Sequence, residues 1–174
     1  IDAAIEAAGV TGADGILFDL GFSTFQIEDP ERGFSFQKEG PLDMRMDPGG
    51  EPKAEDLVNE YPFEELKDLI IRYGEERWAD GIAKEIVNRR EQERITTTGE
   101  LVSIIESALP EPEKRQRKTH PATKTFQALR IAVNDELNNL EEGLETAFSL
   151  LTEGGVIVVL SYHSLEDRRV KRFL

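Results

Sequence analysis

The sequence predicts an α/β protein, part of a doubly wound parallel sheet carrying a mostly α-helical insertion subdomain. Two apolar runs, GILFDL at 15–20 and VIVVL at 156–160, are continuous rather than alternating, which is typical of buried strands in parallel sheets. Helical patterns fill most of the chain between them, which favours parallel pairing because parallel strands need a crossover connection. That intervening block is too long for an ordinary crossover, so we predict an inserted helical subdomain.

The first elements are a short helix, a strand and a long loop. IDAAIEAAG at 1–9 is amphipathic and ends in Gly9, the residue that best tolerates the left-handed conformation at a helix end. GILFDL follows as a buried strand. From Gly21 to about Lys53 turn residues recur without a sustained period, but phenylalanine, leucine and methionine are frequent. We therefore predict an ordered loop of the kind that usually carries function.

A block of helices comes next. Helical periodicity appears in AEDLVNEY (54–61), PFEELKDLIIRYG (62–74), which starts with a first-turn proline, and EERWADGIAKEIVNRREQE (75–93). Trp78, Ile82 and Ile86 form an apolar stripe in the third of these segments. Thr97 and Glu100 fit a capping box before LVSIIESAL, and the following proline ends that helix.

The last third of the chain returns to the sheet. EPEKRQRKTHP at 111–121 is predicted as a basic linker, and 121–151 as two helices with a break near Asn134. Gly154 and Gly155 are predicted to end the second helix. VIVVL is then the second buried strand, and SYHSLED opens the last helix.

Composition bounds the function. The 174 residues are 39% hydrophobic and 32% charged, as in a soluble globular protein, and no apolar run approaches the roughly 20 residues that span a membrane. The absence of cysteine excludes disulfides and thiolate metal sites, and is compatible with a reducing cytoplasm. A net charge of −14 argues against indiscriminate nucleic-acid binding but leaves room for a local basic patch. The chain starts and stops inside helical patterns, so we expect a piece of a longer protein.

Candidate binding residues follow both strands. Ligands of open parallel sheets bind beyond the carboxyl ends of strands, so Asp19 and the segment Ser161–His163 are expected to face one crevice. Gly21 permits close backbone approach to a ligand, and Gln26 could lie over the same pocket. The alternatives are a cap or turn acid for Asp19 and an ordinary loop amide for Gln26.

His163 is one of two histidines. Ser164 and Asp167 match a capping box, which leaves His163 itself open between a pocket residue and a structural hydrogen-bonder. His163 with Asp167 is a weak metal pair, and His120 has no partner nearby in sequence. No metal site is predicted.

The cations divide into a loop group and a basic stretch. Asp43-Met-Arg-Met-Asp47 alternates like a strand with one buried face, and Arg45, like Arg32, could either pair with a loop acid or grip a phosphate. The basic stretch is either a solvated loop or a local phosphate-binding patch. Its members are Lys114, Arg115, Arg117, Lys118, His120, Lys124 and Arg130.

Six motifs occur in order: GILFDLGFS, RGFSF, GPLDMRMD, YGEER, HPATKTFQALRI and SYHSLEDRRVK. Together they resemble the bacterial cytosine-N4 methyltransferases of 16S ribosomal RNA (the MraW/RsmH type), from about Ala13 to the last residue. The resemblance implies a class I, Rossmann-like S-adenosylmethionine (SAM) methyltransferase fold with a helical insertion between its fourth and fifth strands. It also implies a target cytosine in the decoding region of the small ribosomal subunit, a cytoplasmic location and a possible homodimer, with no membrane or metal partner.

The resemblance assigns roles to particular residues. The acid of DLG and the glutamine after the short polar loop contact SAM in that family, which implies Asp19 and Gln26, with Gly21 beside them. Relatives commonly read DLGVSS, so Phe22 and Thr24 are mild departures. Ser23 or His163 is predicted to contact the cytosine amine. The cations predicted to hold RNA are Lys114, Arg115, Arg117, Lys118, Lys124 and Arg45.

The resemblance also divides the chain. Residues 1–26 are predicted to belong to the SAM-binding domain, 27–125 to the loop and helical insertion, and 126–174 to the return into the SAM domain. The family's glycine-rich SAM loop is absent, so these residues alone are expected to bind SAM weakly or not at all. A non-catalytic RNA- or ribosome-binding fragment and a helical protein-interaction module are the alternative functions.

Overall fold

The computed structural model describes residues 2–9 and 11–174. In chain order the elements are α1 (Asp2–Ala8), β1 (Ala13–Asp19), α2 (Thr24–Glu28), a 3-10 turn (Pro30–Arg32), α3 (Ala54–Glu60), α4 (Phe63–Gly74), α5 (Ala79–Arg90), α6 (Thr98–Ala108), α7 (Glu111–Gln116), α8 (Thr123–Val133), α9 (Glu136–Leu150), β2 (Leu151–Leu160) and α10 (Ser164–Phe173).

These elements form two compact units. The sheet unit comprises the described residues up to Gly21 together with Asp135–Leu174, and the helical unit comprises Phe22–Asn134. Each has its own apolar cluster. The functional segments 1–26, 27–125 and 126–174 stay a prediction beside this division. None of the helices in the described residues is long and apolar enough to cross a membrane.

The sheet unit contains the predicted parallel pair. β1 and β2 run parallel, with Gly15 opposite Val156 and Asp19 opposite Leu160. The predicted end of the preceding helix at Gly154–Gly155 is wrong, because α9 ends at Leu150 and both glycines lie inside β2. They occupy the irregular part of the ladder, where Gly154 has a φ of +81°. Glycine suits such a position because a bulge needs unusual backbone angles.

One face of this two-stranded sheet is covered and the other is exposed. Phe18, Ile157 and Val159 pack against a small cluster from α9 and α10: Leu140, Leu144 and Val170. On the opposite face Leu17 is 65% exposed and Val158 is 48% exposed. The prediction of strands buried on both faces is therefore wrong for the described residues. Apolar runs report the hydrophobicity of a strand, whereas its burial depends on which elements cover it.

The helical unit is built on a larger core. α4 packs against α5 and α8, and α5 also packs against α6. Ile82 and Ile86 of the predicted stripe are fully buried, and Trp78, at the start of α5, is partly buried and packs against the same core. The predicted capping box of α6 is present, since Thr97 Oγ1 accepts from Glu100 N at 3.2 Å and Thr97 N donates to Glu100 at 3.0 Å.

The long loop before α3 is ordered, as predicted. Phe34, Leu42 and Met44 are buried in the core of the helical unit. Leu42 N donates to Thr96 O at 2.9 Å, which ties the loop to the residues before α6. The short helix α2 was missed by the sequence reasoning, because five residues are too few to show a period.

Candidate functional site

The carboxyl ends of the two strands meet through a side-chain hydrogen bond. Asp19 is the last residue of β1 and lies opposite Leu160 in β2. Tyr162, two residues beyond β2, donates its hydroxyl to Asp19 Oδ1 at 2.7 Å. Gly21 has a φ of +94°, a backbone conformation that residues with a side chain rarely adopt. A Cβ atom at this position would lie 3.8 Å from the Tyr162 ring. The expected juxtaposition of Asp19 with the segment after β2 is therefore present.

Glu166 organises the segment after β2. Its carboxylate is buried, and Oε2 accepts from Tyr162 N at 2.8 Å and from His163 N at 3.3 Å. Burial by itself would raise the pKa of Glu166, but the hydrogen bonds from His163 and from the backbone N–H groups outweigh it and hold the pKa below its ordinary value. The carboxylate thus stays ionised and fixes the backbone of both preceding residues.

His163 caps α10, which corrects the predicted capping box. The sequence pattern placed the cap at Ser164 with Asp167, but the cap lies one residue earlier, at His163 with Glu166. His163 Nδ1 accepts from Glu166 N at 3.4 Å, and Nε2 lies 3.2 Å from Glu166 Oε1. The shift arises because the extended backbone at His163 leaves its N–H pointing at the buried Glu166 rather than at the half-buried Asp167.

One group of possible metal ligands surrounds this histidine. Among the residues that the structure describes, Glu136, His163 and Glu166 have ligand atoms that all lie within 4.8 Å of one another. Because Nδ1 accepts a backbone N–H, a neutral imidazole carries its proton on Nε2, the atom that faces Glu166. Two members of this group, His163 and Glu166, already form the cap of α10.

Ser23 and Gln26 cap the start of α2 in the helical unit. Ser23 Oγ accepts from Gln26 N at 3.3 Å, and Ser23 N donates to Gln26 Oε1 at 2.8 Å. The pattern Ser-x-x-Gln is a capping-box signature, so this structural role was readable from the sequence but was missed. Contact of Gln26 with SAM and of Ser23 with cytosine stay predictions.

Arg45 is held by its own loop. Its guanidinium binds both oxygens of Asp43, at 2.8 and 2.7 Å, and donates to Gly50 O at 2.8 Å. Met44 is buried, as the alternation predicts, but the predicted strand-like backbone is wrong, because residues 43–47 form no strand and Met44 has a φ of +63°. Arg32 Nη2 donates to Arg45 O at 2.9 Å, so both arginines shape this loop. A contact between Arg45 and RNA stays a prediction.

The predicted basic linker is a helix followed by a buried ion pair. α7 covers Glu111–Gln116, and Arg117 binds both oxygens of Glu76 at 2.7 and 2.8 Å. The Glu76 side chain has no exposed surface and that of Arg117 is 11% exposed. Burial alone would raise the pKa of Glu76, but Arg117 and the N–H of Trp78 hold it below its ordinary value. This pair was missed, because nothing local links residues so far apart.

The remaining cations of the basic stretch differ in their surroundings. Lys114 pairs with Glu111 at 2.7 Å, and Lys124 Nζ donates to Glu75 O at 2.8 Å. His120 stacks on Phe36 with ring centroids 4.6 Å apart. Arg115 and Lys118 are exposed and form no ion pair with any residue in the described part of the chain. Within the basic stretch, both are therefore accessible to an anionic partner.

A family model and individual relatives place this chain in the same protein family. The model of the MraW methylase family matches residues 1–174. Relatives called "Ribosomal RNA small subunit methyltransferase H" include one from Carboxydothermus hydrogenoformans, 54% identical over 95% of this chain and 52% of the relative. Another, from Geobacter sp. (strain M21), is 54% identical over 97% of this chain and 54% of the relative. A third, from Paramagnetospirillum magneticum, is 52% identical over 100% of this chain and 54% of the relative. The chain spans about half the length of these relatives.

Proposed function

Since this chain belongs to the MraW methylase family, we propose that its protein transfers a methyl group from SAM to small-subunit ribosomal RNA. The observation that carries the proposal is the identity of 52–54%, over nearly the whole chain, to relatives named as methyltransferases of small-subunit ribosomal RNA. SAM as the methyl donor is part of the proposal. The finer proposal is methylation of a cytosine N4 amine of 16S ribosomal RNA in the cytoplasm. The parallel β1–β2 pair supports the Rossmann-like class I fold that this activity implies.

The residues at the end of β1 fit one side of a SAM site. Asp19 is exposed and carries a carboxylate, which accepts hydrogen bonds from hydroxyl and ammonium groups, and SAM has both. Gly21 adds no side chain beside it, so a ligand can approach the backbone. Gln26 is proposed as a second contact. SAM supplies a methyl group made electrophilic by its positively charged sulfur.

The protein residues must then position a weak nucleophile. The lone pair of cytosine N4 is delocalised into the ring, so transfer depends on holding the amine in line with the methyl group and on accepting an amine proton. Such positioning lowers the activation barrier by several kcal/mol, on the order of the effect of intramolecular reactions. A well-placed proton acceptor raises the rate by a further factor of about 10²–10⁴. We assign this contact to Ser23 or His163. Ser23 is exposed, and its Oγ uses one lone pair to accept from Gln26 N, which leaves the other to accept a hydrogen of the cytosine amine.

The basic stretch of the helical unit is proposed to hold the RNA backbone. Arg115 and Lys118 supply exposed charge, and Lys124 lies close in sequence. Lys114, Arg117 and Arg45 are paired with acids, so their proposed contribution is to shape the surface as much as to add charge to it.

Substitution of Asp19 tests the function in the full-length protein. Asp19→Ala is expected to weaken SAM binding at least about tenfold, because it removes a charge-assisted hydrogen bond that is typically worth about 1.5–3 kcal/mol. Calorimetric SAM titration measures affinity, and mass spectrometry of small-subunit RNA locates the methylated base. Asp14→Ala is the matched control, since Asp14 is an exposed acid near the other end of β1.

Two results would overturn the proposal. One is a wild-type protein that transfers no methyl group to small-subunit RNA. The other is an Asp19→Ala variant that binds SAM as tightly as the Asp14→Ala control. RNA binding without any SAM binding would favour the non-catalytic alternative.

A further inference from the structure

Tyr162 makes a contact that its packing does not impose. The residue is 70% exposed, yet its hydroxyl lies 2.7 Å from Asp19 Oδ1, and its ring passes over Gly21. An exposed aromatic side chain has several rotamers open to it, so this one is selected by the hydrogen bond to the carboxylate. The bond joins the residue after β2 to the last residue of β1.

The backbone end of Tyr162 is anchored separately. Its N–H donates to Glu166 Oε2 at 2.8 Å, and that carboxylate is 3% exposed in the first turn of α10. The same oxygen accepts from His163 N at 3.3 Å. Because Glu166 fixes the main chain, the phenol hydroxyl is delivered to one place at the carboxyl end of β1.

We propose that Tyr162 is a positioning residue for methyl-donor binding, whose hydroxyl holds the Asp19 carboxylate in one orientation. The bond uses Oδ1, which leaves Oδ2 to accept from a ligand while the carboxylate is held in place. A free exposed carboxylate rotates about two torsions and loses that freedom when it binds, whereas a carboxylate held in advance loses less. The inference rests on the proposed function, because it assumes that Asp19 contacts SAM.

The phenol is suited to this role at all ordinary pH values. The hydrogen bond to Asp19 and the charge of that carboxylate raise the pKa of Tyr162 above its usual value. The hydroxyl therefore keeps the proton it donates, and phenylalanine at this position would keep the ring but lose the bond.

The test compares Tyr162→Phe with wild type in the full-length protein. We expect SAM affinity to fall about threefold to tenfold, which corresponds to ordering one side chain. The KM for SAM is expected to rise by the same factor with kcat nearly unchanged, and the melting temperature is expected to stay the same. Tyr61→Phe, which removes a hydroxyl from the helical unit, is the matched control and is expected to leave SAM binding unchanged.

A double-mutant cycle separates positioning from a direct contact. If Tyr162 acts through Asp19, Tyr162→Phe has no further effect on SAM affinity in an Asp19→Ala background. Independent, multiplying effects would overturn the inference, as would an unchanged Kd for Tyr162→Phe in a protein that binds SAM and methylates RNA. A wild-type protein that binds no SAM would overturn the proposed function and this inference together.

Discussion

At the scale of single residues, two buried carboxylates fix the positions of the groups around them. Glu76 fixes Arg117 after α7, and Glu166 fixes the backbone of Tyr162 and His163 after β2. Both have pKa values below the ordinary range because hydrogen-bond donors outweigh the cost of burial. A buried carboxylate without its partner would be costly, so each makes the position of its donors obligatory.

Arg117→Met is expected to destabilise the chain by about 3–5 kcal/mol, because it leaves Glu76 as a buried charge without its principal partner. The matched control is Arg77→Met. Arg77 is 69% exposed and pairs with Glu113, so its loss is expected to cost about 0–1 kcal/mol. Urea denaturation gives both free energies of unfolding, and equal losses would contradict the prediction.

The same pair predicts an acid dependence. The folded pKa of Glu76 lies below the ordinary value of 4.5, so the unfolded chain binds a proton first as the pH falls. The contribution of ionised Glu76 to the free energy of unfolding is complete above pH 4.5 and is lost as the pH falls through the lower pKa of the folded state. In Arg117→Met this part of the acid transition is expected to shrink, whereas Arg77→Met should retain it.

At the scale of elements, capping boxes define where three of the helices begin. The boxes of α2 and α6 follow the Ser/Thr-x-x-Gln/Glu pattern, whereas α10 uses His163 and Glu166, which that pattern does not include. In α10 the N3 carboxylate also reaches Tyr162, one residue outside the box, so the cap and the candidate site are one structure. The start of α10 therefore orients Tyr162 and His163.

Thr97→Ala is expected to lower the free energy of unfolding by about 1 kcal/mol, because it removes the side-chain acceptor for an N–H at the start of α6. Thr123→Ala, in the first turn of α8, is the matched control and is expected to change stability by less than about 0.5 kcal/mol. Thermal or urea unfolding measures both. A loss of stability for Thr97→Ala no larger than that of the control would show that the Thr97 cap does not stabilise α6.

At the scale of the whole molecule, an overall charge of −14 is combined with a small exposed basic region. Pairing with acids occupies Lys114, Arg117 and Arg45, which leaves Arg115 and Lys118 as the exposed cations of that stretch without an ion pair in the described residues. Acidic surface repels RNA phosphates, so exposed cations without a paired acid favour the position at which RNA binds. The charge total and the proposed RNA partner are therefore compatible.

Replacing Arg115 and Lys118 together by alanine is expected to weaken binding to small-subunit RNA and to reduce the salt slope by about 1.4, which is two phosphate contacts at about 0.7 each for single strands. The matched control is Lys84→Ala with Arg89→Ala, two exposed cations of α5. Affinities measured at several salt concentrations give the slopes. An unchanged slope for the first pair would show that RNA binds elsewhere.

The sequence by itself determined the longer helices, the parallel strand pair, the ordered loop and the family, because periodicity, capping signals and motifs are read directly along the chain. It placed Asp19 at the end of a strand for the same reason. The short helices α2 and α7 were not predicted. Only the tertiary structure decided that Tyr162 donates to Asp19, that Arg117 binds the buried Glu76 and that one sheet face is exposed. The two residues of each pair lie far apart in sequence, and the exposed face depends on which elements cover the sheet. Such contacts arise from three-dimensional packing, so neither segment carries a sequence pattern that predicts them.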